Sequence, residues 1–375
     1  MRIRYVALII AMILVLLPGP SFAQAESSTA QLQAITETRI DFPVGIVFTA
    51  SLDLEAEFKS ARVELYYRPA FDETLRLAVV DPGAIAGTPN GAEVTVTLDL
   101  QSDFIPSGID LEYFWSVTSA DASISNSDPE FVSWSDTRFD WKSYETAQVR
   151  LFAYSLSDEF ANSVAAEAQA TVTSLETRFG LDRSEPIAIW IYANTTDFQA
   201  VLQSNSREAV AGVSYPGFFV VKAVLREGDD REVGRTITHE MSHQVLSQAT
   251  LNPYSVPPLW FDEGMATHAQ TSGIDGYLPL AVSSVNSGKL FRLESLTQVF
   301  PFQPAEAAIA YAASWSAVEF VLQTWGDEGI ALLIAEYANG TPPADAMENA
   351  LGMTSDEFDT ALREWLLGHQ SAGLG

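Results

Sequence analysis

The stretch Thr236-Ile237-Thr238-His239-Glu240-Met241-Ser242-His243-Gln244 constrains this chain more than any other. His239 and His243 stand four residues apart, with Glu240 beside the first of them. On a helix that spacing nearly completes one turn, so both imidazoles leave the same face and can meet on one metal ion. The pattern predicts a helix over 232–248, in which Val233, Ile237, Met241 and Val245, with Leu246 alongside, form an apolar stripe for a core. The histidines then lie on the edge of that stripe. Zinc suits such a pair best, because it accepts imidazole nitrogen at about 2.0–2.1 Å and, with three protein ligands, keeps a fourth position open. A metal ion lowers the pKa of a water it holds from about 15.7 to about 7, and a neighbouring carboxylate can then take the proton. Glu240 is read as that base and not as a ligand.

The third ligand has to come from elsewhere in the chain. Proline-rich Leu251-Asn252-Pro253-Tyr254-Ser255-Val256-Pro257-Pro258 cannot continue the helix. It reverses the chain, and a second helix opening at Leu259-Trp260-Phe261-Asp262-Glu263-Gly264-Met265-Ala266 returns beside the first. Glu263 is the carboxylate expected to complete a triad with His239 and His243 around Zn2+. A buried zinc-bound histidine normally gives its other ring nitrogen to a carbonyl or carboxylate, for which Asp262 is a candidate.

His239-Glu240-x-x-His243 followed by Trp260-x-Asp262-Glu263-Gly264-x-Ala266 resembles the gluzincin zinc metallopeptidases, the class that contains thermolysin and the aminopeptidase N family. The small MA-like peptidase family is the nearest match, over about 148–367. With only four histidines in 375 residues, a chance H-E-x-x-H followed by a chance E-G-x-A segment is a poor explanation. The resemblance implies peptide-bond hydrolysis by an α+β domain that is mostly helical after the zinc helix. It also implies an oxyanion donor, since a tyrosine opens the corresponding later helix in aminopeptidase-like gluzincins, and Tyr311 in the helical pattern 306–322 resembles it. An edge strand before the zinc helix lies beside extended substrate in that family, and 211–224 is the corresponding stretch here.

The chain departs from the family at one place. An acidic residue often stands four positions beyond the glutamate ligand, and here that position is Thr267. No Gly-x-Met-Glu-Asn type segment, which holds the substrate amine in the aminopeptidase N family, precedes the zinc helix, so an endopeptidase is favoured over an aminopeptidase. His268 is turned well off the ligand face, and His369 near the C-terminus is expected to be solvated.

Composition bounds the rest. Hydrophobic residues make up 47% of the chain, enough for packed cores, and the length allows two domains. A formal charge of -29, from 49 acids against 20 bases, argues against nucleic acid or an anionic membrane surface as partner. Cysteine is absent, so a metal must be held by nitrogen and oxygen. Arg2 and Arg4, the apolar run 6–17 and Ser21-Phe22-Ala23 form a secretory signal pattern, with cleavage expected before Gln24. The run is short for a membrane span of about 20 residues, and an uncleaved anchor is the alternative.

The expected organisation is a signal peptide at 1–23, a linker at 24–34, an all-β immunoglobulin- or fibronectin-like sandwich at 35–140, and the metallopeptidase-like domain at 146–370. The sandwich rests on alternation such as Val94, Val96, Leu98 and Leu100, then Leu111, Tyr113, Trp115 and Val117. Further expectations are a helix over 158–179 stopped by Gly180, a buried strand over 187–192, a short helix over 196–203, and late helices over 327–337 and 344–367. Together these describe a secreted zinc peptidase acting on peptide or protein substrates. The alternatives are a metallopeptidase-like binding protein without turnover, motivated by Thr267, and a cell-surface adhesion module led by the sandwich. Nothing in the sequence bears on oligomeric state.

Overall fold

A computed structural model describes residues 30–53, 62–89, 91–181, 185–202 and 211–372. The expected signal segment, most of the linker, and the residues Leu54, Asn90 and Gln203 that end or turn expected elements lie outside the described residues. The N-terminal half is built from β1 (Ala30–Gln31), β2 (Ala34–Asp41), β3 (Gly45–Asp53), β4 (Arg62–Pro69), β5 (Arg76–Val79), β6 (Ile85–Thr88), β7 (Gly91–Asp99), β8 (Ile109–Thr118), β9 (Ile124–Asn126) and β10 (Glu130–Trp134). One sheet runs β2-β3-β7-β6; the other runs β1-β9-β8-β4-β5, with β10 also on β8. Every pairing is antiparallel except β1 with β9. The period-2 pattern explains why the sheets close on each other: Phe48 and Val94 from one, and Leu65, Leu111, Tyr113 and Trp115 from the other, all point into one core. Phe48 meets Tyr113 edge-on at 4.8 Å between ring centres.

The second half opens with β11 (Lys142–Glu145) and β12 (Val149–Ala153), then α1 (Asp158–Phe179), β13 (Ile187–Tyr192), α2 (Thr195–Gln199), β14 (Gly212–Tyr215) and β15 (Val220–Val224). Its sheet is ordered β11-β12-β13-β15-β14, with β12, β13 and β15 parallel and the two outer strands antiparallel. β11 belongs to this sheet, so the sheet begins at Lys142, four residues before the expected 146. The stretch 211–224, expected as one edge strand, is two strands: Val220–Val224 is interior, and the edge is Gly212–Tyr215. α1 keeps its expected span because Ser157 Oγ accepts from the Phe160 N–H at its start and Gly180, at φ 65°, ends it.

From there the chain is helical: α3 (Asp230–Glu232), α4 (Thr238–Ala249), α5 (Leu259–Ala269), α6 (Tyr277–Asn286), α7 (Pro304–Ala338), α8 (Pro343–Leu351) and α9 (Ser355–Ala372). α7 breaks at Gly326, φ 70°, into the two segments expected around 306–322 and 327–337. The helical stretch expected over 344–367 is divided by Gly352 at φ 71°, and the cap-like residues read at 354–357 start the last helix, Thr354 and Glu357 capping it reciprocally through side chain and backbone. α6 forms where the patterning was too weak to predict a helix. Among the described residues no helix is long and apolar enough to cross a membrane.

The C-terminal sheet is covered on both faces. Ile187, Ile189 and Ile191 of β13 join the helical core with α1 and α4, while Trp190 and Tyr192 join the sandwich core. Trp141 packs edge-on to Trp190 at 4.8 Å and to Tyr192 at 5.2 Å, at the junction of the two halves. The two halves therefore share one sheet as a common wall.

Candidate metal centre

α3 is capped by Asp229, whose carboxylate accepts from the Glu232 N–H. A π-helical turn over Val233–Ile237 then leads into α4. Such turns carry an extra residue and rotate the helix downstream of them; here the turn ends two residues before His239. Val233, Ile237, Met241 and Val245 are buried in the helical core, and the histidines emerge at the margin of that stripe. α5 comes back beside α4 after the 250–258 connection. Gly264 permits the packing of α5 on α7: a Cβ there would sit 2.6 Å from the Ser314 carbonyl oxygen, so the glycine of the E-G-x-A segment serves helix packing.

The two helices bring three ligand atoms together. His239 Nε2 and His243 Nε2 are 3.2 Å apart, and Glu263 Oε2 lies 3.3 Å from the first and 3.7 Å from the second. Tetrahedral ligands at zinc bond lengths are separated by about 3.3 Å. Glu263 Oε2 is buried and no aligned hydrogen-bond donor serves it, a costly arrangement for a carboxylate unless a cation does. Burial would lower the pKa of His243, but the carboxylates of Asp262, Glu263 and Glu240 outweigh it and raise it to about 10. Burial likewise opposes ionisation of Glu263, yet the two histidines hold its pKa below the usual value. The cluster is built to hold positive charge. Among the described residues, His239, His243 and Glu263 are the group whose donor atoms all fall within 4.8 Å of one another.

The outer ring nitrogens are also served. His243 Nδ1 lies 2.8 Å from Asp262 Oδ1, as expected. His239 Nδ1 lies 3.0 Å from the amide of Gln270 just past the end of α5. Thr267 takes no part, because its hydroxyl donates back to the carbonyls of Glu263 and Gly264 at 2.7 and 3.0 Å. Gln270 gave no sequence signal of its own; the missing acid at 267 was the one hint that a substitute had to exist.

Glu240 is 8% exposed and lies between α4 and the edge strand β14. A Cβ on Gly212 would stand 3.1 Å from its Oε1 and 2.6 Å from Thr236 Cγ2, so that strand can approach only as glycine. Farther along, Gln244 Nε2 donates to Ser214 Oγ at 2.8 Å and to the Val220 carbonyl at 3.0 Å, fastening the strand to the helix. Tyr311 brings its ring to 6.4 Å from that of His239 and packs against Phe300. A cleft of about 500 Å³ opens on the Asp262 side, with Leu246, Leu251, Val256 and Leu259 in its walls. His268 is outside the triad, paired with Glu319 at 2.8 Å and stacked on Trp315. His369 is not fully solvated: it is partly buried, with its ring against Trp365 at 4.3 Å.

No curated protein matches the chain. Among solved structures, an aminopeptidase N family protein from Idiomarina loihiensis aligns at TM-score 0.38 and 11% identity, over 87% of this chain and 72% of that one. A polysaccharide deacetylase from Bacillus cereus aligns at TM-score 0.24 and 10% identity, over 47% and 56% of the respective chains. A purple acid phosphatase from yellow lupin (Lupinus luteus) seeds aligns at 0.23 and 12%, over 53% and 35%. At such scores these likenesses do not bear on activity. The sequence model of the peptidase MA superfamily matches residues 167–368, a span that holds the whole triad and more than half of the chain, and the protein belongs to that superfamily.

Proposed function

We propose that the protein is an exported zinc-dependent endopeptidase in which His239, His243 and Glu263 hold the metal, Glu240 is the general base and Tyr311 the oxyanion donor. The observation that carries this reading is the convergence of three ligand atoms 3.2 to 3.7 Å apart around a buried carboxylate oxygen that no aligned hydrogen-bond donor serves. Bound zinc would supply Lewis acidity at the fourth position. Glu240 takes a proton from the attacking water and passes it to the departing amine. Tyr311 donates its phenolic hydrogen to the developing oxyanion, since a phenol of ordinary pKa near 10 keeps that proton at neutral pH.

An extended peptide fits beside β14 by strand addition, its backbone pairing with the outer edge of that strand, which is the last of its sheet among the described residues, while Gly212 leaves room at Glu240. The absence of an amine-holding Gly-x-Met-Glu-Asn type segment supports internal cleavage over removal of N-terminal residues. Export rests on the signal pattern at 1–23, and the sandwich is read as an immunoglobulin- or fibronectin-like spacer or docking module. Thr267 motivated the reading of a binding protein without turnover, and that motive weakens because Gln270 provides His239 with a partner. The test is Glu240→Gln. The variant should keep stoichiometric zinc and lose cleavage of a peptide mixture that the native protein cuts and a chelator protects. Cleavage at the native rate would end the mechanism.

A further inference from the structure

The two proposed histidine ligands are held by different chemistry. Asp262 faces His243 Nδ1 at 2.8 Å, and a carboxylate can only accept. That keeps a His243 proton on Nδ1 and makes Nε2, the nitrogen toward Glu263, the one that ligates when a metal is bound. Gln270 faces His239 Nδ1 at 3.0 Å, and an amide carries an acceptor on one end and donors on the other. It can therefore satisfy Nδ1 in either tautomer of the ring, provided the amide turns over.

The surroundings allow both orientations. Gln270 is 8% exposed, and its backbone is tied down on its C-terminal side, where the Thr271 N–H donates to the Gly234 carbonyl at 2.8 Å and Ser272 Oγ donates to the Arg231 carbonyl at 2.6 Å. The far end of the amide meets the Tyr277 hydroxyl at 3.4 Å. A hydroxyl both donates and accepts, so it serves whichever end of the amide is presented. In one arrangement Tyr277 donates to Oε1, Nε2 donates to a bare His239 Nδ1, and the ring proton sits on the inner Nε2, 3.2 Å from His243 Nε2. In the other, His239 Nδ1 donates to Oε1, Nε2 donates to Tyr277, and the inner nitrogen is free to ligate. The number of protons is the same in both.

We propose that Gln270 is the positioning residue for His239 and holds the ring without fixing its tautomer, so that uptake of the metal is coupled to turning over the Gln270 amide. The proposal rests on the reading of His239, His243 and Glu263 as a metal triad, and it adds a residue outside the motifs that tunes how readily the triad is loaded. The family's acid would lock the ligating tautomer permanently. Here that lock is replaced by a partner that adapts to the ring.

The experiment uses the full chain with Gln270→Glu, Gln270→Leu and Tyr277→Phe, each first checked for fold by thermal unfolding in chelator. Zinc affinity is measured by competition with a chromophoric chelator, and ligand geometry by the visible bands of the cobalt(II) form. Gln270→Glu fixes the ligating tautomer and adds charge, so it should bind zinc roughly tenfold tighter and shift the cobalt bands. Gln270→Leu should bind about 10- to 100-fold more weakly. Tyr277→Phe keeps the ring that packs on Trp315, removes the amide's far partner, and should weaken zinc binding by a smaller factor. Unchanged affinity in Gln270→Leu, or in Tyr277→Phe should the leucine variant not fold, overturns the positioning role. Weaker or equal binding by Gln270→Glu overturns the tautomer argument. A native protein that binds no zinc removes the triad and this inference together, whereas one that binds zinc but cleaves nothing leaves the affinity series as the test.

Discussion

Tyr311 stands with its ring 6.4 Å from that of His239, and the ring of Phe300 packs against it at 5.2 Å. A donor aimed at charge that appears only in the transition state changes turnover and not binding. Tyr311→Phe should therefore lower kcat by about 100-fold, near 3 kcal/mol, with KM and bound zinc unchanged. Steady-state kinetics with a metal assay on the same preparation checks this. A loss confined to KM would mean the hydroxyl holds substrate and does not stabilise the oxyanion.

The joint between α4 and α5 sets the depth and rotation of Glu263, and the side chain of Asn252 holds that joint. Its Nδ2 lies 2.8 to 2.9 Å from the carbonyls of Thr250, Ser255 and Tyr337, which share its two N–H donors, while Oδ1 accepts from the N–H groups of Tyr254 and Ser255. One bond reaches α7, so the loop is pinned to a third helix as well. Asn252→Ala leaves these backbone groups without their partner in a half-buried loop, which should cost about 2–3 kcal/mol of unfolding free energy. Because α5 loses its anchor, zinc binding should weaken too, although Asn252 touches no ligand. Urea unfolding and chelator competition measure the two effects; lower stability with native zinc affinity would show that the return of α5 is set elsewhere. The prolines at 253, 257 and 258 forced the chain to turn here, but only the asparagine shows how the turn is fixed.

Across the molecule, the shared sheet buries one lysine completely. Lys222 on β15 points to the sandwich side, where Nζ meets Ser107 Oγ at 2.8 Å and the ring of Tyr215 at 5.7 Å. Burial drives its pKa from 10.5 down to about 7, partly offset by Asp136, whose carboxylate is already engaged by Arg138. A base whose folded pKa is lowered binds fewer protons than the unfolded chain between those two values, so stability is gained as pH rises through that window. Below it, both states are protonated and the cost of the buried charge is fully present. Lys222→Met should thus be more stable than the native protein at pH 6. That advantage should shrink by about 2–3 kcal/mol between pH 7 and 9, at about 1.4 kcal/mol per unit. Urea titrations of both proteins across this range decide it, and a constant difference would show that Lys222 keeps its proton in the folded state. The wall between the two halves makes this an effect on the whole fold, since Gly108 must also remain without a side chain to admit Trp190.

The spacing of His239, Glu240 and His243 and the proline-rich turn before Glu263 were enough to indicate the triad, because helical periodicity is local and ligand geometry derives from it. The same locality made α1, β13 and the two parts of α7 legible, the helices bounded by a cap or a glycine and β13 by Pro186 and Asn194. The edge position of β14 was not legible, since an apolar strand looks alike wherever it lies, and its neighbours are chosen by pairing with residues far along the chain. Gln270 was hidden for a related reason: it lies past the helix in no periodic register and reaches His239 only because loop and helix fold over each other. The residue types and their intervals thus set which chemistry the chain can perform, while long-range packing chose the partners that tune it, since contacts made across the fold leave no periodic trace in the order of residues.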